Sequence, residues 1–145
     1  MKIDKNRLNK YLLDTKSRTN EIKRLLDEFS NEEVLSDDWK IKGLKYLIVE
    51  MAEIMANTLT HILTRDKGES ITGYIETIIK SGEIGIISQS LTDKLKPFFD
   101  FRNSLVHRYW MISDEKFLDL VRKNYKDFLT FIEEIEKYIK NCDHN

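Results

Sequence analysis

The stretch Phe117-Leu-Asp-Leu-Val-Arg-Lys-Asn-Tyr-Lys-Asp-Phe-Leu-Thr-Phe-Ile-Glu-Glu-Ile-Glu-Lys-Tyr-Ile-Lys-Asn-Cys142 decides the fold class. Within it Phe117, Val121, Tyr125, Phe128, Ile132, Ile135, Ile139 and Cys142 succeed one another at steps of four and three, all apolar or aromatic. That spacing draws a stripe down one side of an α-helix and predicts a last helix beginning after Ser113-Asp114, its stripe a bundle seam.

Upstream, the same periodicity recurs. Leu91, Leu95, Phe98, Phe101 and Leu105 predict a fourth helix, capped by Ser88 or Ser90, which Pro97 should kink or divide. Residues 71–80, with Tyr74, Ile75, Ile78 and Ile79 apolar, read as a short third helix stopped by Ser81-Gly82; the β-branched run over 84–87 leaves a strand as the alternative there. Ile41, Leu44, Ile48, Met51, Met55 and Ile62 predict a long second helix from Trp39 to about Thr64. Leu8, Tyr11, Leu12, Ile22, Leu25, Leu26 and Phe29 predict a first helix over roughly 4–29, interrupted by the acid-rich segment 30–38. The expectation is an all-α antiparallel bundle of four to five helices in one domain, residues 1–145, with 141–145 a loose tail.

Composition narrows the function classes. Lys and Arg total 24 against 25 Asp and Glu, so no global field draws the protein onto nucleic acid or membrane, and any RNA contact must be local. Residues 1–26 carry eight Lys or Arg and three acids, residues 27–53 eight acids and three Lys; such blocks read first as solvated helix faces. The single cysteine, Cys142, excludes an internal disulfide and suits a reducing compartment. The absence of a signal-like start or a membrane-length apolar run predicts a cytoplasmic protein.

The informative motif is Phe101-Arg-Asn-Ser-Leu-Val-His-Arg-Tyr-Trp110. At about 100° per residue, with Arg102 at 0°, Leu105, Phe98, Leu91, Leu95, Val106 and Phe99 fall between roughly 300° and 60°. Arg102 therefore sits in the middle of the apolar face, where an arginine belongs only if it is paired or faces a site. Tyr109 falls near 340° on the same stripe, while Asn103 and His107 lie near 100° and 140° at its edge. Arg102 and His107 are thus about 140° and ~7.5 Å of rise apart, and a two-fold dimer would bring two copies of each around one cleft.

With Arg102, Asn103, three further residues, His107, Arg108 and Tyr109, the chain resembles the HEPN superfamily and, within it, the HepT (DUF86) toxins, whose signature is Arg, four to six residues, His, one residue, Tyr. The resemblance runs over about 46–139 and takes in Gly85-Ile-Ile, the motif and the amphipathic last helix; residues 1–40 resemble the family only as a long first helix. It implies a metal-independent endoribonuclease toxin of a type VII HEPN/MNT toxin–antitoxin system, active as a homodimer on RNA and needing no cofactor. It also implies an MNT nucleotidyltransferase antitoxin as partner, which can attach AMP to Tyr109. The chain has no Gly-Ser followed by a spaced Asp-x-Asp, so it is not itself the transferase.

The residue types suit that chemistry. Histidine titrates where it can take or give a proton, the role for His107, and a forked, permanently charged guanidinium suits the phosphoryl oxygens, the role for Arg102. Asn103 would orient the imidazole or bind phosphate, Tyr109 would contact RNA, and Arg108 would face solvent or RNA. Blander readings stand beside these. An ion pair of Arg102 with Glu50 or Glu53 explains its position equally well, His107 alone would be an ordinary helix-edge residue, and Tyr109 and Trp110 would be core aromatics. His61 and His144 lack partners at ligand spacing, so no metal site is expected. The rival functions are a non-catalytic HEPN module binding a nucleotide or protein, and a plain helical scaffold.

Overall fold

The computed structural model describes residues 2–106 and 112–142. The first helix, α1 (Lys5–Glu28), starts where the Asp4 carboxylate accepts from the Arg7 amide at 3.1 Å. It buries Leu8, Leu12, Thr15, Thr19, Ile22 and Leu26. The two threonines sit in an apolar seam at little cost because each hydroxyl donates to the carbonyl four residues back, Thr15 to Tyr11 and Thr19 to Thr15.

The segment 30–38, expected only as an interruption, holds a short helix, α2 (Asn31–Leu35). Ser30 and Glu33 cap it reciprocally, each side chain accepting from the other's backbone amide. Asp37 then caps α3 (Asp38–Arg65), which buries Ile41, Leu44, Ile48, Met51, Met55, Leu59 and Ile62 and packs against α1.

Helix α4 (Tyr74–Ile84) runs through the expected stop at Ser81-Gly82 and ends instead at Gly85, whose φ of 92° is the left-handed conformation of a glycine cap. Gly82 answers a packing demand: a Cβ there would lie 2.3 Å from Thr92 Oγ1. The run 84–87 is no strand; Ile86 and Ile87 are buried in the turn before α5 (Gln89–Val106). Ser88 Oγ accepts from the Leu91 amide at 3.1 Å, settling the cap on Ser88. Pro97 does not divide α5, which continues through it and buries Phe98, Phe99 and Phe101.

The single last helix is corrected to two, α6 (Asp114–Asn124) and α7 (Asp127–Cys142). At the joint the Asn124 side chain donates to the Leu120 carbonyl, and the amides of Phe128 and Leu129 bond only three residues back, to Tyr125 and Lys126. Asn and Asp flank this turn, and both offer the backbone alternatives to continued helix. The seam survives the break: Phe117, Val121, Phe128, Ile132, Ile135 and Ile139 are all buried.

Pairings fix the directions. Asp4 meets His61 and Arg18 meets Glu50, so α1 and α3 are antiparallel; Ser88 meets Glu134 and Phe98 meets Phe128, so α5 and α7 are too. Arg122 of α6 donates to the Leu26 and Phe29 carbonyls and to the Asn31 side chain, satisfying the end of α1. The fold is all-α, as expected, with seven helices among the described residues because α2 is present and α6 and α7 are separate. Among those residues no helix is long and apolar enough to cross a membrane.

Candidate functional site

Arg102 lies in the last turns of α5, its side chain 20% exposed. Two other helices hold it. From α3, Glu53 Oε1 stands 3.4 Å from one terminal guanidinium nitrogen. From α4, the Tyr74 ring lies under the guanidinium, whose central carbon is 3.9 Å from the ring centroid. The Arg102 Nε is buried and makes no hydrogen bond.

This arrangement answers the question the motif raised. The charge on the apolar face is paired, with Glu53 and not with Glu50, which faces Arg18 at 3.3 Å. The pairing is loose, because 3.4 Å is long for a charge-assisted hydrogen bond and Glu53 is 45% exposed. A guanidinium carries five donors, so Arg102 retains capacity for an anion's oxygens. Burial pushes the Tyr74 phenol up to about 12, Glu53 adding to the rise and Arg102 opposing it. Tyr74 is therefore a neutral aromatic floor, itself packed against Phe99 with ring centroids 6.0 Å apart.

Of the other sequence candidates, Asn103 is half-buried next to Arg102 on α5. His107, Arg108 and Tyr109 lie outside the described residues, as does Trp110. Tyr74 is the residue that sequence reasoning missed as a site component. It was legible only as one apolar position of a short helix, since nothing in spacing along one helix reports a neighbour from another.

The chain matches the family model described as "Ribonuclease HepT-like" over residues 15–135. It is 27% identical over 104 residues to an Archaeoglobus fulgidus protein named "Putative RNase", a match covering 72% of this chain and 78% of that one. Its fold is similar to a tri-AMPylated HEPN toxin of Shewanella oneidensis solved in complex with an MNT antitoxin, at TM-score 0.82 and 18% identity, over 90% of this chain and 97% of that one. It is similar too to YutE of Bacillus subtilis, a cytosolic protein of unknown function, at TM-score 0.80 and 14% identity, over 96% and 92% of the two chains. With residues 15–135 matched by the family model, the chain belongs to the HepT-like ribonuclease family.

Proposed function

We propose that this protein is a metal-independent endoribonuclease toxin, acting in the cytoplasm as a homodimer and neutralised by an MNT-type nucleotidyltransferase. One observation carries the reading: Arg102, five residues before His107, is a nearly buried cation seated on Tyr74 and only loosely paired with Glu53. The ion pair with Glu53 is long, and its carboxylate is 45% exposed. Such a pair leaves the guanidinium free to exchange its carboxylate for a phosphoryl group.

In the proposed step the ribose 2′-oxygen attacks the adjacent phosphorus. An imidazole of His107 takes the 2′-hydroxyl proton, the O2′–P bond forms, the P–O5′ bond breaks, and the departing 5′-oxygen receives a proton. The products are a 2′,3′-cyclic phosphate and a 5′-hydroxyl. A neutral and a protonated histidine serve the two transfers best, and a dimer supplies both. Arg102 holds the oxygens that gather charge at phosphorus, Asn103 orients the imidazole or the phosphate, and Arg108 and Tyr109 contact the strand. AMP on Tyr109 would place bulk and negative charge where RNA must enter; the AMP-bearing, antitoxin-bound state of a toxin with this fold supports that regulation.

The test is RNA cleavage in EDTA by protein purified free of antitoxin and AMP. Wild type should cut, and Arg102→Ala and His107→Ala should lose at least about a hundredfold in rate. RNA bound but left intact by wild type would replace the enzyme with a binding module. AMP additions that persist in Tyr109→Phe, read by intact mass on co-expression with the transferase, would remove Tyr109 as acceptor.

A further inference from the structure

The basic block on α1 finds a use at the far end of α3. There Arg7 of α1, with Asn57, Thr60, His61 and Arg65 of α3, lines a cavity of about 240 Å³. No acidic side chain lines it. Among the described residues neither Arg7 nor Arg65 forms an ion pair with a carboxylate, although Asp4 lies near enough to act on Arg7 and His61 electrostatically. Asp4 caps α1 by accepting from the Arg7 amide, and Asp66 accepts from the Tyr138 hydroxyl and faces Lys67.

His61 sets the character of the cavity. It is only 7% exposed, and its Nε2 accepts the Asp4 amide hydrogen at 2.8 Å. A neutral ring that accepts through Nε2 carries its hydrogen on Nδ1, so it offers the cavity a donor. Two guanidinium groups, an imidazole N–H and a side-chain amide line it, and the nearby Asp4 carboxylate, which draws on Arg7 and His61, is itself held by the Arg7 amide. That set fits a phosphate.

The cavity is also in line with Arg102. At about 100° per residue, Glu53, Asn57 and Thr60 lie within roughly 60° of one another around α3, with Asn57 and Thr60 about 6 and 10.5 Å beyond Glu53 along its axis. One face of α3 thus runs from the carboxylate beside Arg102 into the cavity.

We propose that the Arg7–His61–Arg65 cavity is a second phosphate site, holding a backbone phosphate of the RNA strand beyond the scissile one. The proposal rests on the ribonuclease reading and gives it a substrate track: single-stranded RNA laid along α3, its length felt at a site remote from the cut.

The experiment compares wild type with an Arg7→Gln/Arg65→Gln double variant, both side chains being on the surface and the fold checked by thermal melting. With a single-stranded oligoribonucleotide the variant's KM should rise roughly tenfold or more at unchanged kcat, since two charge-assisted contacts are lost. The salt dependence of binding should become shallower by about one unit of slope in a log–log plot. With a dinucleoside phosphate, too short to reach the cavity, the two proteins should behave alike. Equal KM on the oligoribonucleotide overturns the site, as does an equal loss on the dinucleoside phosphate, which would place the effect at the cut. If inorganic phosphate shifts the His61 ring resonances while KM for RNA is the same in both proteins, the cavity takes a free anion and the RNA assignment fails. If wild type cuts no RNA, the cleavage reading falls separately, and fluorescence anisotropy with the same oligoribonucleotide decides the cavity: weaker binding by the variant upholds it, equal binding overturns it.

Discussion

Arg102 of α5 rests on the Tyr74 ring of α4 and stands beside Glu53 of α3. A cation in the middle of an apolar face announces a special environment, and the sequence limits its partners to a few acids of the next helix inward. It does not tell Glu53 from Glu50, because the two lie only about 60° apart around α3 and a small rotation of that helix exchanges them. It is silent about Tyr74, whose contribution is a ring face presented from a third helix. The contact with Tyr74 makes a prediction that separates ring from hydroxyl. Tyr74→Phe keeps the aromatic face and should leave RNA cleavage within about twofold of wild type, whereas Tyr74→Ala removes a partly desolvated cation–π contact and should lower kcat/KM by roughly tenfold. Single-turnover cleavage measures both. A Tyr74→Ala protein as fast as wild type would show that Arg102 needs no floor.

At the scale of elements, periodicity located the helices, and their ends depended on chemistry of two kinds. Local chemistry was legible in part: Ser88 was one of two caps expected for α5, whereas Ser30-Asn-Glu-Glu33, which spells the reciprocal cap of α2, lies in a segment read only as an interruption. Non-local chemistry was not. Ser81-Gly82 reads as a stop because glycine usually frees the backbone, yet here glycine is required by Thr92 approaching from α5. The prediction at that contact therefore runs against propensity. Gly-to-Ala inside a helix ordinarily stabilises by about 0.5–1 kcal/mol, but Gly82→Ala should destabilise by about 1–3 kcal/mol because the new methyl overlaps Thr92. Adding Thr92→Ala should recover most of the loss, a coupling that urea denaturation of the two single variants and the double variant would measure. Simple additivity would mean that the helices part without strain. The break between α6 and α7 belongs to the same class: the apolar stripe runs across it without a change of face, so hydrophobic spacing alone cannot report it.

Across the whole molecule, the burial pattern was the most legible feature, since a four-and-three stripe has only one way to hide its apolar side. The polar links that tie one end of the bundle together were not legible, His61 foremost among them. Read in sequence as a histidine without metal partners, it is a buried acceptor that pins the start of α1 to the end of α3 through the Asp4 amide. Burial, then the charges of Arg65 and Arg7, hold its pKa below the ordinary value of 6.5, against the opposing pull of Asp4. The folded protein therefore binds this proton less readily than the unfolded chain. Its contribution to stability is complete above the unfolded value and is lost as pH falls from about 6.5 toward the depressed folded value, where a protonated Nε2 can no longer accept the amide. Melting temperatures taken from neutral pH down to about pH 5 should fall more steeply for wild type than for His61→Gln, which keeps a polar side chain but cannot titrate. The readout is the difference in slope, so a lower overall stability of the variant does not confuse it. Parallel slopes would mean that the link between α1 and α3 survives protonation, and that His61 is held there by packing rather than by its hydrogen bond.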